Sequence, residues 1–173
     1  MNLFKKISIS SFLVLSILLS ACKKVEGPLS DLRPSTPVTV QNAVAYRPEP
    51  TVSVSKSAVV SPGVVGPIEI ILSIPASSPR TIASITQVAA ATSYTQIQSG
   101  GTTGFYNTAP IPGSGKTARF KTTLTEYFQL YPVSPSNPAA TTDKELARRF
   151  YFLITLDDNS TIITEPVRVL VID

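Results

Sequence analysis

Arg148 to Asp173 reads RRFYFLITLDDNSTIITEPVRVLVID, and the fold turns on how this stretch is read. From Phe150 to Leu156 the chain is mostly apolar on both faces: Phe150, Phe152, Ile154 and Leu156 form a wholly apolar set, and Tyr151, Leu153 and Thr155 form the other. A strand of this kind belongs in the middle of a sheet, with its purer face inward. Asp157, Asp158, Asn159 and Ser160 follow, all residues that favour tight turns. Beyond them Val167, Val169 and Val171 alternate around Arg168, the period of a half-buried strand. The stretch therefore reads as antiparallel strands joined by a hairpin turn.

The same period of two recurs upstream. Val52 and Val54 oppose Thr51, Ser53 and Ser55; Ile68, Ile70, Leu72 and Ile74 oppose Glu69 and Ser73; Ala118, Phe120, Thr122 and Leu124 oppose Arg119, Lys121 and Thr123. Turn clusters separate these runs: SPGVVGP from Ser61, PASSPR from Pro75, SGGTTG from Ser99 and PSNP from Pro135. Short alternating strands between Pro, Gly, Asn and Ser clusters predict an all-β, antiparallel sandwich or barrel. Strands are expected near 52–60, 67–75, 80–91, 117–127, 149–157 and 161–172, with VTVQNAVAY (38–46) as a candidate first strand, about seven in all. Helical periodicity is nearly absent, apart from TDKE (142–145), where a capping box can open a single helical turn.

The N-terminus belongs to a different physical regime. Lys5 and Lys6 precede an apolar run from Ile7 to Leu19 and small residues at Ser20 and Ala21. That is the pattern of a secretory signal peptide over 1–21, its apolar run too short to cross the roughly 30 Å hydrocarbon of a bilayer as a stable helix. LLSAC, Leu18 to Cys22, resembles the bacterial lipoprotein box, which implies cleavage before Cys22 and its acylation. Cys22 is the single cysteine of the chain. Ordinary cleavage would instead leave it a free thiol, which is unusual in an exported protein. With each buried methylene adding about 0.8 kcal/mol, several acyl chains anchor a protein to the bilayer without spanning it. Residues 22–50, with Pro28, Pro34, Pro37, Pro48 and Pro50, form a semi-rigid tether, and 51–173 is the sandwich domain.

Cleavage removes 21 of 173 residues and leaves 152, enough for one domain with a real core. Without Lys5 and Lys6 the chain carries 13 basic and 11 acidic side chains, a net charge of +2. No basic cluster is interleaved with aromatics, so nucleic acid is not an expected partner.

PIPGSGKT (110–117) comes close to the phosphate-binding pattern G-x-x-x-x-G-K-[ST], with Pro110 where the first glycine should be. Such a loop needs a buried strand before it and a helix after it, so that backbone N–H groups converge on the phosphates. Here YNTAPIP precedes it and the strand-like TARFKTTLT follows. Nucleotide binding is excluded on that context, and Lys116, Arg119 and Lys121 are expected on a solvent face. No cofactor motif is present, so no cofactor is expected.

Candidate chemistry is sparse. The chain has no histidine, which removes the usual general base and zinc ligand. Asp157 and Asp158 are neighbours that point apart on an extended chain, so with Asn159 they read as a turn, or as a weak calcium site with too few oxygens for a full shell. No nucleophile and base are placed together, and no enzymatic activity is expected. Tyr94 to Asn107, YTQIQSGGTTGFYN, offers two readings. Tyr94, Phe105 and Tyr106 can stack on sugar faces while Gln96, Gln98 and Asn107 bind hydroxyls, or the rings can plug the end of the sandwich. In TEYFQLY (125–131), Tyr127, Phe128 and Tyr131 lie where an exposed apolar patch would mean a partner surface.

Taken together, LLSACKK at the anchor and the stretch from Arg148 to Asp173 resemble small Bacteroidota lipoproteins with an immunoglobulin-like β-sandwich that accompany outer-membrane glycan-uptake systems. The resemblance implies a non-catalytic binding or scaffolding module of the cell envelope, anchored at the outer membrane, with an outer-membrane protein complex or a glycan as partner. The alternative is a structural or adhesive lipoprotein that meets a protein through a sheet edge. In that group acidic residues soon after the lipidated cysteine accompany surface export; here Lys23, Lys24 and Val25 precede Glu26, a partial match that leaves the facing side open.

Overall fold

The computed structural model describes residues 36–46, 48–101 and 103–173. The expected signal peptide, Cys22 and the expected tether up to residue 35 lie outside the described residues. Twelve strands are formed: β1 (Thr39–Val40), β2 (Thr51–Ser55), β3 (Val59–Ser61), β4 (Val64–Val65), β5 (Pro67–Ser73), β6 (Ile82–Ala91), β7 (Ile111–Ser114), β8 (Thr117–Thr123), β9 (Lys144–Glu145), β10 (Arg149–Leu156), β11 (Thr161–Ile163) and β12 (Arg168–Ile172). Among the described residues two helices, α1 (Thr95–Gln98) and α2 (Leu124–Leu130), interrupt them. Seven of the strands run four residues or more. The fold is all-β and sandwich-like, as the period of two predicts.

The main sheet has the order β1-β5-β8-β7-β6-β10-β11, with every neighbouring pair antiparallel. It curls on itself, because aromatic rings from its two halves meet in the middle. Phe120 of β8 lies 5.4 Å from Phe150 and 5.6 Å from Phe152 of β10. The inward set of β10 (Phe150, Phe152, Ile154 and Leu156) is buried, as are Ile68, Ile70, Leu72 and Ile74 of β5 and its end. Each large apolar side chain contributes roughly 1.5–3 kcal/mol on burial, so β10 and β5 supply much of the core.

The fold of the sheet happens at β7. Ile111 and Pro112 pair with Ile85 and Ser84 of β6, whereas Gly113 and Ser114 pair with Ala118 and Thr117 of β8. The chain thus leaves one half-sheet and enters the other within four residues. Gly113 makes this close approach: a Cβ there would lie 2.0 Å from the Ile82 carbonyl oxygen. The turn that follows has Gly115 at φ +61°, the first central residue of a two-residue hairpin loop.

Three expectations need correction. Thr117 to Tyr127 is not one strand, because β8 ends at Thr123 and α2 begins at Leu124. Thr123 Oγ1 accepts from the Glu126 N–H at 3.0 Å, which caps the helix. TDKE is not a helical turn. Asp143 has φ +60°, and Lys144 and Glu145 pair with Val171 and Leu170, because β12 would otherwise carry an unpaired edge. Finally, the sheet β2-β12-β9 contains one parallel pair, with Val52 opposite Val169 and Val54 opposite Val171. Glu165 and Pro166 separate β11 from β12, so the long C-terminal strand first follows β10 and then departs to join β2.

Candidate binding site

The aromatic segment from Tyr94 to Asn107 is drawn into the fold. Phe105 and Tyr106 point to opposite sides of the sheet, as extended neighbours do. Phe105 and Tyr94 pack on a small outer cluster of Ala89, Ala91, Ile97 and Tyr151, where the alanines of β6 leave room for α1. Tyr94 meets Tyr151 edge-on, with ring centroids 4.8 Å apart. Tyr106 enters the main core between Phe120 and Phe150, at 5.4 and 5.6 Å. Its hydroxyl is 2.7 Å from Thr122 Oγ1, which in turn donates to Glu126 Oε2 at 2.7 Å. Burial pushes the Tyr106 phenol well above its ordinary value.

The polar members of the segment serve the backbone. Asn107 Oδ1 accepts from the Val88 N–H at 2.7 Å, and its Nδ2 donates to the carbonyls of Thr86 and Ala109. A side-chain amide here completes the ladder along β6 just before Pro110 breaks the chain's own donors. Gln96 Nε2 donates to the Gly104 carbonyl, closing the loop, while Gln98 is exposed. Of the six candidate residues, Gln96, Tyr106 and Asn107 thus have internal polar partners. Tyr94, Gln98 and Phe105 have none among the described residues.

At the 157–160 turn, Asp158 Oδ1 accepts from both the N–H and the hydroxyl of Ser160, and Oδ2 pairs with Arg80 at 2.8 Å. The Ser160 hydroxyl bond, followed by its N–H and the Arg80 charge, holds the Asp158 carboxyl below its usual range. Both oxygens are already used, and Asn159 takes φ +65°, as a turn requires. Lys116, expected in solvent, is half-buried instead. Its ammonium donates to the Ser78 carbonyl at 2.6 Å and to the Arg80 carbonyl, stapling the 75–80 loop to the hairpin. Other carboxylates are paired as well: Glu49 with Arg149 and Arg168 (2.8 and 3.1 Å), Glu145 with Arg168 (2.9 Å), and Glu69 with Arg119 (3.0 Å).

A surface that sequence reading reached only in part lies at one end of the sandwich. A groove of about 720 Å³ opens between the β2–β3 connection, β4, α2 and the loop after α2. Its apolar lining comes from Val65, Leu124, Phe128, Val133, Ala139 and Ala140. Val133 is 60% exposed, and Val59 (70%) is exposed on β3, opposite Val65 of the groove wall. Phe128 belongs to the TEYFQLY stretch singled out as a partner surface, but Tyr127 from the same stretch is fully buried. Lys56, Val65, Val133 and Ala140 went unnoticed, because each sits in a loop or short strand without periodicity.

The groove and the start of the folded unit lie at opposite ends of β5. Thr39 pairs with Ser73 at the end of β5, whereas Gly66, just before its start, bonds to Leu124 of the groove wall. Six strand steps, from Pro67 to Ser73, separate the two, about 20 Å at 3.4 Å each.

Fold and surface together define an all-β, sandwich-like domain with an apolar groove at the end of β5 opposite to its pairing with β1. No protein-family model matches the chain, and no curated protein and no solved structure matches it.

Proposed function

We propose that the protein is a non-catalytic, membrane-anchored binding and scaffolding module of the cell envelope, and that the end groove is its working surface. The observation that carries this reading is the apolar groove lined by exposed Val133 and Ala139 and half-buried Val65, Phe128 and Ala140, since contiguous apolar surface of this kind marks a binding site. The finer reading, an accessory subunit of an outer-membrane glycan-uptake complex anchored through acylated Cys22, rests on the lipoprotein-box resemblance. Its non-catalytic part rests on the sequence, which has no histidine and places no nucleophile beside a base.

The alternative reading, contact with a protein through a sheet edge, is narrowed to one strand. Among the described residues the five-residue edge strand β2 is the longest template, while the edge strands β1, β9 and β11 are two, two and three residues long. Short edges are a means of discouraging strand addition.

The test is purification of the tagged, lipidated protein from detergent-solubilised envelopes, alongside the Val133→Asp variant. An outer-membrane protein recovered in stoichiometric amount with the wild type and lost with the variant is the expected result. Equal recovery with both would refute the groove as the working surface. Replacing Cys22 with serine should release the protein from the membrane fraction.

A further inference from the structure

We propose that the end groove binds a single-chain amphiphile with an anionic head, a long-chain carboxylate, with its alkyl chain against Leu124, Phe128 and Val133 and its head on Lys56 Nζ. Size and chemistry both point this way. A volume of about 720 Å³ lies within the roughly 300–1,000 Å³ of small-molecule sites. The walls are largely apolar, so they reward a chain and give a glycan few partners.

The polar groups around the groove are unequal in a way that specifies the head. Lys56 is the single charged side chain of the lining, and among the described residues its ammonium has no carboxylate within ion-pair distance. No Asp or Glu lines the groove to repel an anion. Thr125 Oγ1 is occupied by the Val65 N–H at 2.9 Å, and Ser57 Oγ sits 3.2 Å from Ser55 Oγ. What is left in the lining is the Lys56 ammonium and the Gln129 amide, two groups that can donate to a carboxylate. Charge complementarity thus selects an anionic head over a zwitterion or a neutral alcohol.

The inference rests on the groove being the working surface, so its test is built to separate the two. Octanoate, decanoate and dodecanoate, kept below their micelle concentrations, are titrated by calorimetry into the chain from Lys23 onward, which retains the whole compact unit. Affinity should rise roughly twofold to fourfold per added methylene, the upper figure being that for full burial of each CH₂. Lys56→Gln should weaken dodecanoate about fivefold or more, in line with a charge-assisted bond near the surface. Dodecanol should bind wild type and Lys56→Gln alike. Circular dichroism of both proteins checks that the fold is retained.

Affinity that does not change with chain length, or dodecanoate binding untouched by Lys56→Gln, would overturn the inference. So would an absence of heat up to the solubility limit. Loss of the envelope partner in Val133→Asp without any dodecanoate binding would keep the surface and discard the ligand class. A captured protein that dodecanoate fails to displace would place a protein segment in the groove and likewise discard it. If neither the partner nor dodecanoate responds to Val133→Asp, both readings fall.

Discussion

Replacing Gly113 with alanine would put a methyl group where the backbone of β6 begins. The new Cβ would stand 2.0 Å from the Ile82 carbonyl oxygen and 2.7 Å from its carbon, whereas ordinary contact starts at 3.4 Å. One strand must therefore retreat by about 1.4 Å, and the obstacle is backbone rather than the end of a flexible side chain. Retreat is resisted locally, because the Ile82 N–H donates to the Gly115 carbonyl at 2.8 Å in the same corner. The expected cost is about 3 kcal/mol, the upper part of the overpacking range. For the 138 residues from Thr36 to Asp173, roughly 3–4 °C per kcal/mol, this lowers Tm by about 10 °C. The chain has no tryptophan, so urea unfolding followed by far-ultraviolet circular dichroism is the suitable assay, with an unchanged m value showing that only stability moved. Gly115→Ala provides the comparison. Nothing lies within 4 Å of its Cβ, so it should cost only the left-handed strain at φ +61°, about 1 kcal/mol. A Gly113→Ala protein within about 0.5 kcal/mol of wild type, below the usual effect of a core change, would refute the description of β7 as the tight corner of the sheet.

Other consequences follow from buried polar groups. Tyr127→Phe removes a hydroxyl that donates to Asn137 Oδ1 at 2.8 Å and accepts from the Arg148 N–H at 3.3 Å, and should cost about 1–2 kcal/mol in the same urea assay. Burial raises the phenols of Tyr94, Tyr106, Tyr127 and Tyr131, so the folded chain holds those protons after the unfolded chain has lost them. Their contribution to stability is complete below the unfolded value near 10 and is lost as pH rises beyond it; the urea midpoint should fall above about pH 10, less steeply in Tyr106→Phe, and a flat midpoint would contradict the burial. Lys116→Met frees the carbonyls of Ser78 and Arg80 and should cost about 1 kcal/mol, while a fluorescent ATP analogue should show no micromolar binding to the wild type. Calcium at millimolar concentration should leave Tm unchanged, since both Asp158 oxygens already have partners.

The strands that were easiest to read are those with one wet and one dry face. In β5 and β8 the inward residues Ile68, Ile70 and Leu72 stand opposite Thr122, Phe120 and Ala118, a register in which every second residue is buried. The apolar second face of β10 was legible too, although its cause was not. It is covered by α1 and the loop holding Phe105, and the small residues Ala89 and Ala91 that admit them lie in the run Val88 to Ala91, which has no period to reveal a second buried face. The helix α2 was misread because its first residue also completes the alternation of β8. Leu124 is buried both as the last inward position of that pattern and as the first of the helix. The deciding signal was Thr123 with Glu126 three residues later, half of a capping box: the Glu126 N–H bonds to Thr123, while its carboxylate turns to Thr122. TDKE carries the same spacing without the apolar run that should follow it, and becomes β9.

The working surface was harder to see, for a reason that bears on where to look in such chains. Aromatics in a small sandwich are its largest apolar groups, and Tyr106, Phe120, Phe150 and Phe152 are used to join the two half-sheets. The glycine-rich segment around Tyr94 catches the eye as a binding loop, yet Asn107 and Gln96 make it part of the ladder and its closing turn. Groove residues come instead from places where the pattern lapses: Lys56 just after β2, Val65 in a two-residue strand, Val133 between Pro132 and Ser134. An apolar residue outside any period has no core position assigned to it. In a chain whose periodic positions already fill the core, the aperiodic Val65 and Val133 are the ones the proposed ligand would meet. That makes Val133 and Lys56, rather than Tyr94 or Tyr106, the residues whose replacement should change binding while leaving the fold intact.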